Sequence, residues 1–432
     1  MSDEAVPAPA VRAVPGASAQ RVFWATWLGW MLDGFDSAIY QMVLVPAMLD
    51  LLPASGLAPA RGTVATMGGL LFSIFMLGWA CSMAWGWVAD RIGRVPAMCL
   101  TILLYSVATA LCGAAPGLLL FGVFRFFAGF GIGGEWAAGT PLLQESVPER
   151  LRVRLAGWLH TATPTGILLA ALATLLFYGA LGWRGMFLLG ILPALLVAWL
   201  RSSVPESPKW RAAKARQAAP PALRTLFIGP LARRTWAAGL MMACIIFGLW
   251  SSTFWIPTFI VTRMTAGGAT LVAAQRLASG SSILVNLGTL AGCLLMPWIA
   301  ARFGLRRPAA VFFFAGALIA NGIAWLGFAA LPGSLLPFVL MLPLLGFFTN
   351  SVFALYTIWL PEIFPTAQRA LGSGFAFSFG RLFGALGPGI VGTGAALTGS
   401  YPVAIAGISL IYAIGLPFIA MAPETAGEAL PE

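Results

Sequence analysis

Charge is what this sequence has least of. Of its 432 residues only 9% are Asp, Glu, Lys or Arg, against roughly a quarter in an ordinary soluble domain. A chain of this length cannot cover itself with so few ions, so most of its surface must face something other than water. The single histidine, His160, excludes a metal centre built from several imidazoles. The two lysines, Lys209 and Lys214, do not follow glycine. No phosphate-cradling G-x-x-x-x-G-K-[ST] loop can be formed, and ATP drive through such a loop is excluded. Five cysteines (Cys81, Cys99, Cys112, Cys244, Cys293) lie singly in apolar stretches, which gives neither a disulfide framework nor a zinc site, and they read as packing residues. No Ser/His/Asp grouping suggests an enzyme, and no cofactor is expected.

Apolar side chains fill the gap. Hydrophobic residues make up 59% of the chain, in runs of the about 20 residues that cross a bilayer as helix. Turn and charge clusters cut them into twelve segments, near 21–49, 64–89, 95–114, 117–144, 154–179, 185–203, 235–261, 275–300, 308–330, 333–360, 370–397 and 400–421. The expected fold is an all-α, multi-pass membrane protein with twelve transmembrane helices in two six-helix bundles, 21–203 and 235–421. Residues 1–20 are polar and rich in Pro and Ala, a composition expected to be disordered. They have no signal-peptide character, so no cleavage is expected. Residues 204–234 read as a basic linker between the halves, lying along an anionic inner leaflet, and 422–432 as a C-terminal tail.

The net charge of +11 is a membrane signal rather than a nucleic-acid one. Sorted by alternate loops, nineteen basic residues fall on the side of the termini, four on the other side and two inside spans. Cytoplasmic loops collect Lys and Arg, so both termini are expected in the cytoplasm.

The halves repeat each other. "ESVPERLRVRLAG" from Glu145 and "EIFPTAQRALGSG" from Glu362 share the pattern E-x-x-P-x-x-x-R-x-x-x-x-G through Arg152 and Arg369, 217 residues apart. "ADRIGRVPA" and "AARFGLRRPA" echo each other at a spacing of 211, aligning Arg91 with Arg302 and Gly93 with Gly304. A duplicated six-span unit follows.

These residues resemble the major facilitator superfamily over essentially the whole chain. "GWVADRIGRV" fits its loop signature through Gly86, Asp90, Arg91, Gly93 and Arg94, and "RFFAGFGIGG" its fourth-span pattern through Arg125, Gly129, Gly131 and Gly133. "PESPKW" after the sixth span is similar to a sugar-porter motif. Asp33-Gly34-Phe35-Asp36, with "GIGGEWAAG" and "GRLFGALGP", resembles the aromatic-acid and sialate/lactate-type proton symporters. The resemblance implies the major facilitator fold with its two pseudo-symmetric bundles, sites near mid-membrane between them and a monomer. By the same resemblance Gly86, Asp90, Arg91, Gly93, Arg94, Glu145, Arg152, Glu362 and Arg369 are elements of a cytoplasmic gate. The second half carries Ala301 where the first has Asp90, which weakens any symmetrical gate there.

Five charges stand well inside spans: Asp33, Asp36, Arg125, Glu135 and Arg381. Each costs about 2.5–3.5 kcal/mol at mid-membrane, so function is the default reading. Asp33 and Asp36, three apart, share a helix face, and two such carboxylates resist ionising together, which suits proton coupling. Asp36 and Arg125 reach similar depth, and either acid can serve as the arginine's partner. Protonation of that acid would release the Arg125 guanidinium to bind a substrate carboxylate, so Arg125 and Arg381 are both candidate substrate-binding residues. A structural pair that merely neutralises Arg125 is the bland alternative. Glu135 is a second proton carrier or a packing acid. Arg381 meets no acid within its own half and offers a bidentate fit to a carboxylate.

Tyr40, Gln41, Asn286, Asn350 and Tyr356 are mid-span polar groups that could line a cavity. His160 is a relay candidate, though a packed, hydrogen-bonded group is the commoner fate of a lone His. Trp250, Phe254 and Trp255 either stack on an aromatic substrate or, more simply, form an interfacial belt. The expected function is proton-coupled uptake of an organic anion, an aromatic acid or other monocarboxylate, across the inner membrane. A proton-antiporting exporter and a transporter-like sensor are the alternatives. The expected partners are a small carboxylate and the lipid bilayer, not nucleic acid.

Overall fold

The computed structural model describes residues 16–146, 155, 158–206, 210–211, 223–365 and 368–426. The segment 1–15, Arg152 and much of the linker lie outside them, as does the side chain of Glu145. Among the described residues the chain is helical throughout, without strands.

The first four spans are Gly16–Ala54, Arg61–Cys81, Arg94–Ala114 and Leu118–Ser146, with a short helix, Ala84–Ile92, continuing the second. Among the described residues eleven helical runs are long and apolar enough to cross a membrane, and one of these, Ala162–Val197, holds two spans. At Gly182 (φ 60°, ψ −175°) the helical path breaks. A residue with a Cβ is strained at that φ, so glycine lets the fifth span turn into the sixth without a polar loop. The sixth ends with Pro193–Ser203.

The second half repeats the plan. The seventh span is Gly229–Thr253 and Ile256–Ala266, the eighth Leu271–Phe303 and the ninth Arg306–Asn321 with π-helical turns Gly322–Ala329. The tenth is Leu336–Ile363, the eleventh Arg369–Gly384 and Leu386–Thr398, and the twelfth Tyr401–Ser409 and Ile411–Met421. The Gly16 end of the first span and the Met421 end of the last share one side of the molecule, the termini face. Leu119, Leu195 and Leu397 are more than 70% exposed, which marks the outer wall as one meant for lipid.

Lipid tails are as apolar as leucine, so helices in a membrane are held together by close packing rather than by expulsion of water. Glycine supplies that closeness at paired crossings. Where spans two and four cross, a Cβ on Gly78 would lie 2.0 Å from the Phe126 carbonyl oxygen, and one on Gly129 2.0 Å from that of Phe75. Spans eight and ten do the same, with Gly288 against the Pro343 carbonyl (1.8 Å) and Gly346 against that of Val285 (2.0 Å). The two crossings stand 210 and 217 residues apart, the spacing of the sequence repeat. Duplication is therefore visible in the packing as well as in the motifs.

The halves meet on the side opposite the termini, along spans two and eleven. A Cβ on Gly69 would lie 2.5 Å from the Pro388 carbonyl oxygen, and one on Gly392 2.3 Å from that of Ala65. Deeper down, aromatic rings bridge the halves. Phe72 stacks on Phe254 at 4.1 Å between centroids and lies 5.2 Å from Trp250, and Trp79 meets Trp250 at 6.2 Å. The belt reading of Trp250, Phe254 and Trp255 fails here, because all three are buried at or beside this seam. A belt residue needs its polar edge at the membrane surface, and these have none there.

Replacing Gly129 or Gly346 by alanine forces backbone against backbone and should cost about 1–3 kcal/mol each. Gly280→Ala, at a helical position with open space around it, should be neutral or slightly stabilising. Thermal unfolding of the purified variants, followed by size-exclusion profile, reads the difference; equal melting of all three would contradict it.

Candidate functional site

A cavity of about 160 Å³ lies between the halves. The first half lines it with Trp30, Gln41, Trp79 and His160, and the second with Trp250, Asn286, Asn350, Phe377 and Arg381 among others. Among the described residues Arg381 is the only Asp, Glu, Lys or Arg on its wall. The eleventh span delivers it four residues before that helix breaks at Ala385, and its guanidinium stands 4.8 Å from the Trp79 ring centroid and 5.7 Å from that of Phe377. Trp79 belongs to the opposite half, so this cation–π contact of order 1–2 kcal/mol crosses the seam.

Gln41, Asn286 and Asn350 are on the cavity wall. The Asn286 amide donates to the Ser282 carbonyl (2.8 Å), and that of Asn350 to the Thr289 hydroxyl (2.8 Å). His160 also lines the cavity, with its ring edge-on to Trp30 at 5.5 Å. Tyr40 and Tyr356 do not line it. The Tyr40 hydroxyl is turned to the second span and donates to the Gly68 carbonyl (2.9 Å), while Tyr356 is fully buried within the second half.

The first-half charges lie behind the cavity. Arg125 is fully buried with its guanidinium 4.1 Å from the Phe75 ring centroid and 4.9 Å from that of Tyr40, and none of its three nitrogens has a hydrogen-bond partner. It feels the charge of Asp36, but no ion pair closes between them, and both Asp36 oxygens are likewise without partners. The aromatic rings that face the guanidinium take the place that a direct Asp36–Arg125 pair would need.

Asp33 points elsewhere. Its carboxyl neighbours Glu135 and Tyr105 and lies within electrostatic reach of Arg381. Glu135 fits because residue 29 is glycine: a Cβ there would fall 1.3 Å from Glu135 Oε1. Gly29 and Asp33 stand one helical turn apart on the first span, so the notch and the acid share a face. The two acids of the D-G-F-D stretch therefore have different nearest neighbours, Glu135 and Tyr105 for Asp33 and Thr109 for Asp36, although each still feels nearby charge, Asp33 that of Asp36 and Asp36 that of Arg125.

The expected gate residues form two clusters on the termini face, each inside one half. In the first, Arg94 pairs with Asp90 at 2.6 Å, Arg91 lies 3.5 Å over the Trp87 ring and Gly93 takes φ 111°. Glu206, just after the sixth span, accepts from the Val95 N–H (3.1 Å), and the Trp210 indole donates to the Asp90 carbonyl (2.9 Å). Gly86 has open space around it. In the second, Arg306 grips both Glu362 oxygens (2.8 and 3.0 Å), the Thr425 hydroxyl donates to the same carboxylate (2.7 Å), and Arg369 opens the eleventh span. Glu424 accepts from the N–H groups of Arg306 and Arg307. Burial would raise its carboxyl, but these backbone donors outweigh it and hold the group below the usual carboxylate range.

Sequence reasoning missed Trp30, Trp79, Arg306, Glu206 and Glu424. For the last two a signal was present: Pro205-Glu206-Ser207 and Pro423-Glu424-Thr425 stand 218 residues apart, the repeat spacing again. Tryptophans at 30 and 79 carried no signal, since nothing in a hydrophobic run distinguishes a lipid-facing ring from a cavity-facing one.

Comparison with known proteins agrees with this architecture. Residues 26–388 match the Major Facilitator Superfamily. A protein of Haemophilus influenzae described only as a metabolite transport protein is 32% identical, covering 93% of this chain and 96% of its own. The sialic acid transporter NanX of Escherichia coli is 27% identical over 85% of each chain, and the niacin transporter NiaP of Acinetobacter baylyi 28% over 86% of each. Among solved structures, the D-xylose–proton symporter superposes with a TM-score of 0.75 at 18% identity, covering 96% of this chain and all of its own. Its identity is low enough that the likeness concerns the fold. The chain belongs to the Major Facilitator Superfamily: it is a multi-pass membrane transporter and not an enzyme.

Proposed function

We propose that this transporter takes up a small organic monocarboxylate, of aromatic-acid type, together with protons, with both termini in the cytoplasm of a bacterial cell and the spans in its inner membrane. The observation that carries the reading is Arg381, a lone cation on the wall of an aromatic cavity between the halves. A guanidinium in such a place binds a carboxylate bidentately, and low surrounding polarity strengthens the contact. Trp30, Trp79 and Trp250 offer rings against which a flat substrate packs, and Gln41, Asn286 and Asn350 hold its polar substituents. One cation suits one carboxylate. Relatives named for sialic acid, niacin and gentisate support an organic acid as the class of cargo.

For coupling, the geometry favours Asp33 with Glu135 over Asp36. Asp33 neighbours Glu135, and its charge reaches Arg381 on the cavity wall. While the pair is ionised it competes with an incoming anion for that arginine. Taking up a proton removes the competitor, and the substrate carboxylate then binds. Asp36, Thr109 and Arg125 hold a second ionisable pair deeper in the first half, which transmits helix movement rather than touching substrate. In this state the halves are closed opposite the termini, so the cavity is that of the cytoplasm-facing half of an alternating-access cycle.

Two measurements in proteoliposomes test this. Arg381→Lys keeps the charge but loses the planar fork, and should lower uptake at sub-saturating substrate at least tenfold; wild-type uptake by the lysine variant would refute bidentate binding. Asp33→Asn should abolish pH-driven accumulation of an aromatic carboxylate such as gentisate or nicotinate while sparing counterflow exchange. Accumulation that survives in Asp33→Asn but fails in Asp36→Asn would move the coupling site to Asp36 and Arg125.

A further inference from the structure

Gln275 and Ser73 each make a hydrogen bond across the seam between the halves, and both bonds end on a backbone group beside a helix break. The first span contains Pro46, and at Val43 its backbone leaves helical geometry (φ −109°, ψ 15°). Proline has no N–H, so the Met42 carbonyl, four residues earlier, loses its donor within the helix. The Gln275 side chain, from the eighth span of the other half and 1% exposed, donates its amide to that carbonyl. The eleventh span breaks at Ala385, and the first turn of its second helix has N–H groups without an internal acceptor. Ser73, from the second span of the first half, accepts from one of them, Gly389 N–H, at 3.1 Å. Each half thus satisfies a broken helix in the other, and both contacts lie on the side away from the termini, where the halves are closed.

We propose that Gln275 is a gate residue of the transport cycle, locking the face opposite the termini by satisfying the carbonyl that Pro46 orphans. Met42 borders the cavity, but in this closed state it is only 2% exposed and Gln275 is the donor its carbonyl has, so removing the amide leaves that carbonyl poorly satisfied. When the face opens, water replaces the amide at little net change. The bond therefore favours the closed face selectively, as a gate contact must, whereas an ordinary packing contact within one half is indifferent to the state. Its strength depends on Pro46, which gives the latch an internal control. With Ala or Gly at 46 the helix regains its own donor, and Gln275 becomes dispensable.

The test uses the full-length protein in lipid nanodiscs, with Cys81→Ser and spin labels on cysteines at Ala58 and Ala266, exposed sites on that face in opposite halves. Distance distributions by pulsed electron resonance give the ratio of closed to open protein without substrate. Gln275→Met, equal in length and unable to donate, strands the carbonyl in the closed state and should lower the ratio roughly tenfold. In a Pro46→Ala background the same substitution should change it by about twofold or less. Pro46→Gly restores the same N–H and serves if the alanine variant does not fold. An unchanged distribution in Gln275→Met, or an equal shift in both backgrounds, overturns the proposal. The readout needs no substrate, so it stands or falls separately from the monocarboxylate reading.

Discussion

Inside a bilayer a polar group has no water to fall back on, and every other feature of this transporter follows from where it finds a substitute. Backbone groups are the first case. Regular helix satisfies them internally, and each departure has to be met by a neighbour. The kink at Pro46 and the break before Leu386 are met from across the seam, by Gln275 and Ser73. Breaks placed this way tie the integrity of two helices to the relative position of the halves. A rocking movement is then a movement between two sets of satisfied groups rather than a loss of structure.

Charges are the second case. Arg125 has no oxygen partner and is held between Phe75 and Tyr40 instead. Arg381 has aromatic neighbours too, but it stands on the cavity wall, where an anion can reach it. The same chemistry thus has two settings according to access: Arg125 is enclosed by rings behind the cavity, and Arg381 stands on the cavity wall. The carboxyls divide in the same way. Glu135 occupies a notch made by Gly29 and faces Asp33 near the cavity, while Asp36 is enclosed with Thr109 and Arg125.

Glycine pairs set the distance scale on which these groups meet. The Gly78/Gly129 crossing in the first half and the Gly288/Gly346 crossing in the second bring backbones to contact. Reused at the repeat spacing, they make the halves similar rigid bodies that differ in what they carry. Four of the five interior charges belong to the first half; the second contributes Arg381, with neutral polar groups such as Asn286 and Asn350 beside it on the cavity wall. Charge is thus divided unequally between the halves, while both contribute walls to the cavity.

The sequence by itself determined the class of the protein. Scarcity of charge, the length of the apolar runs and the repeated E-x-x-P-x-x-x-R motif are properties of composition and spacing, and they imply twelve helices in two related halves without reference to any contact. The five interior charges were equally legible, because a charge among apolar residues stands out in one dimension. Which of them faces the cavity was decided only in three dimensions. Arg125 and Arg381 look alike in sequence, each a lone arginine among Phe and Gly, and they differ in the helix rotation that puts one behind Tyr40 and the other on the seam. Trp79, Trp250 and Gln275 were hidden for the same reason. A hydrophobic span has no polar face to give away its orientation, so what each side chain meets depends on how the halves dock.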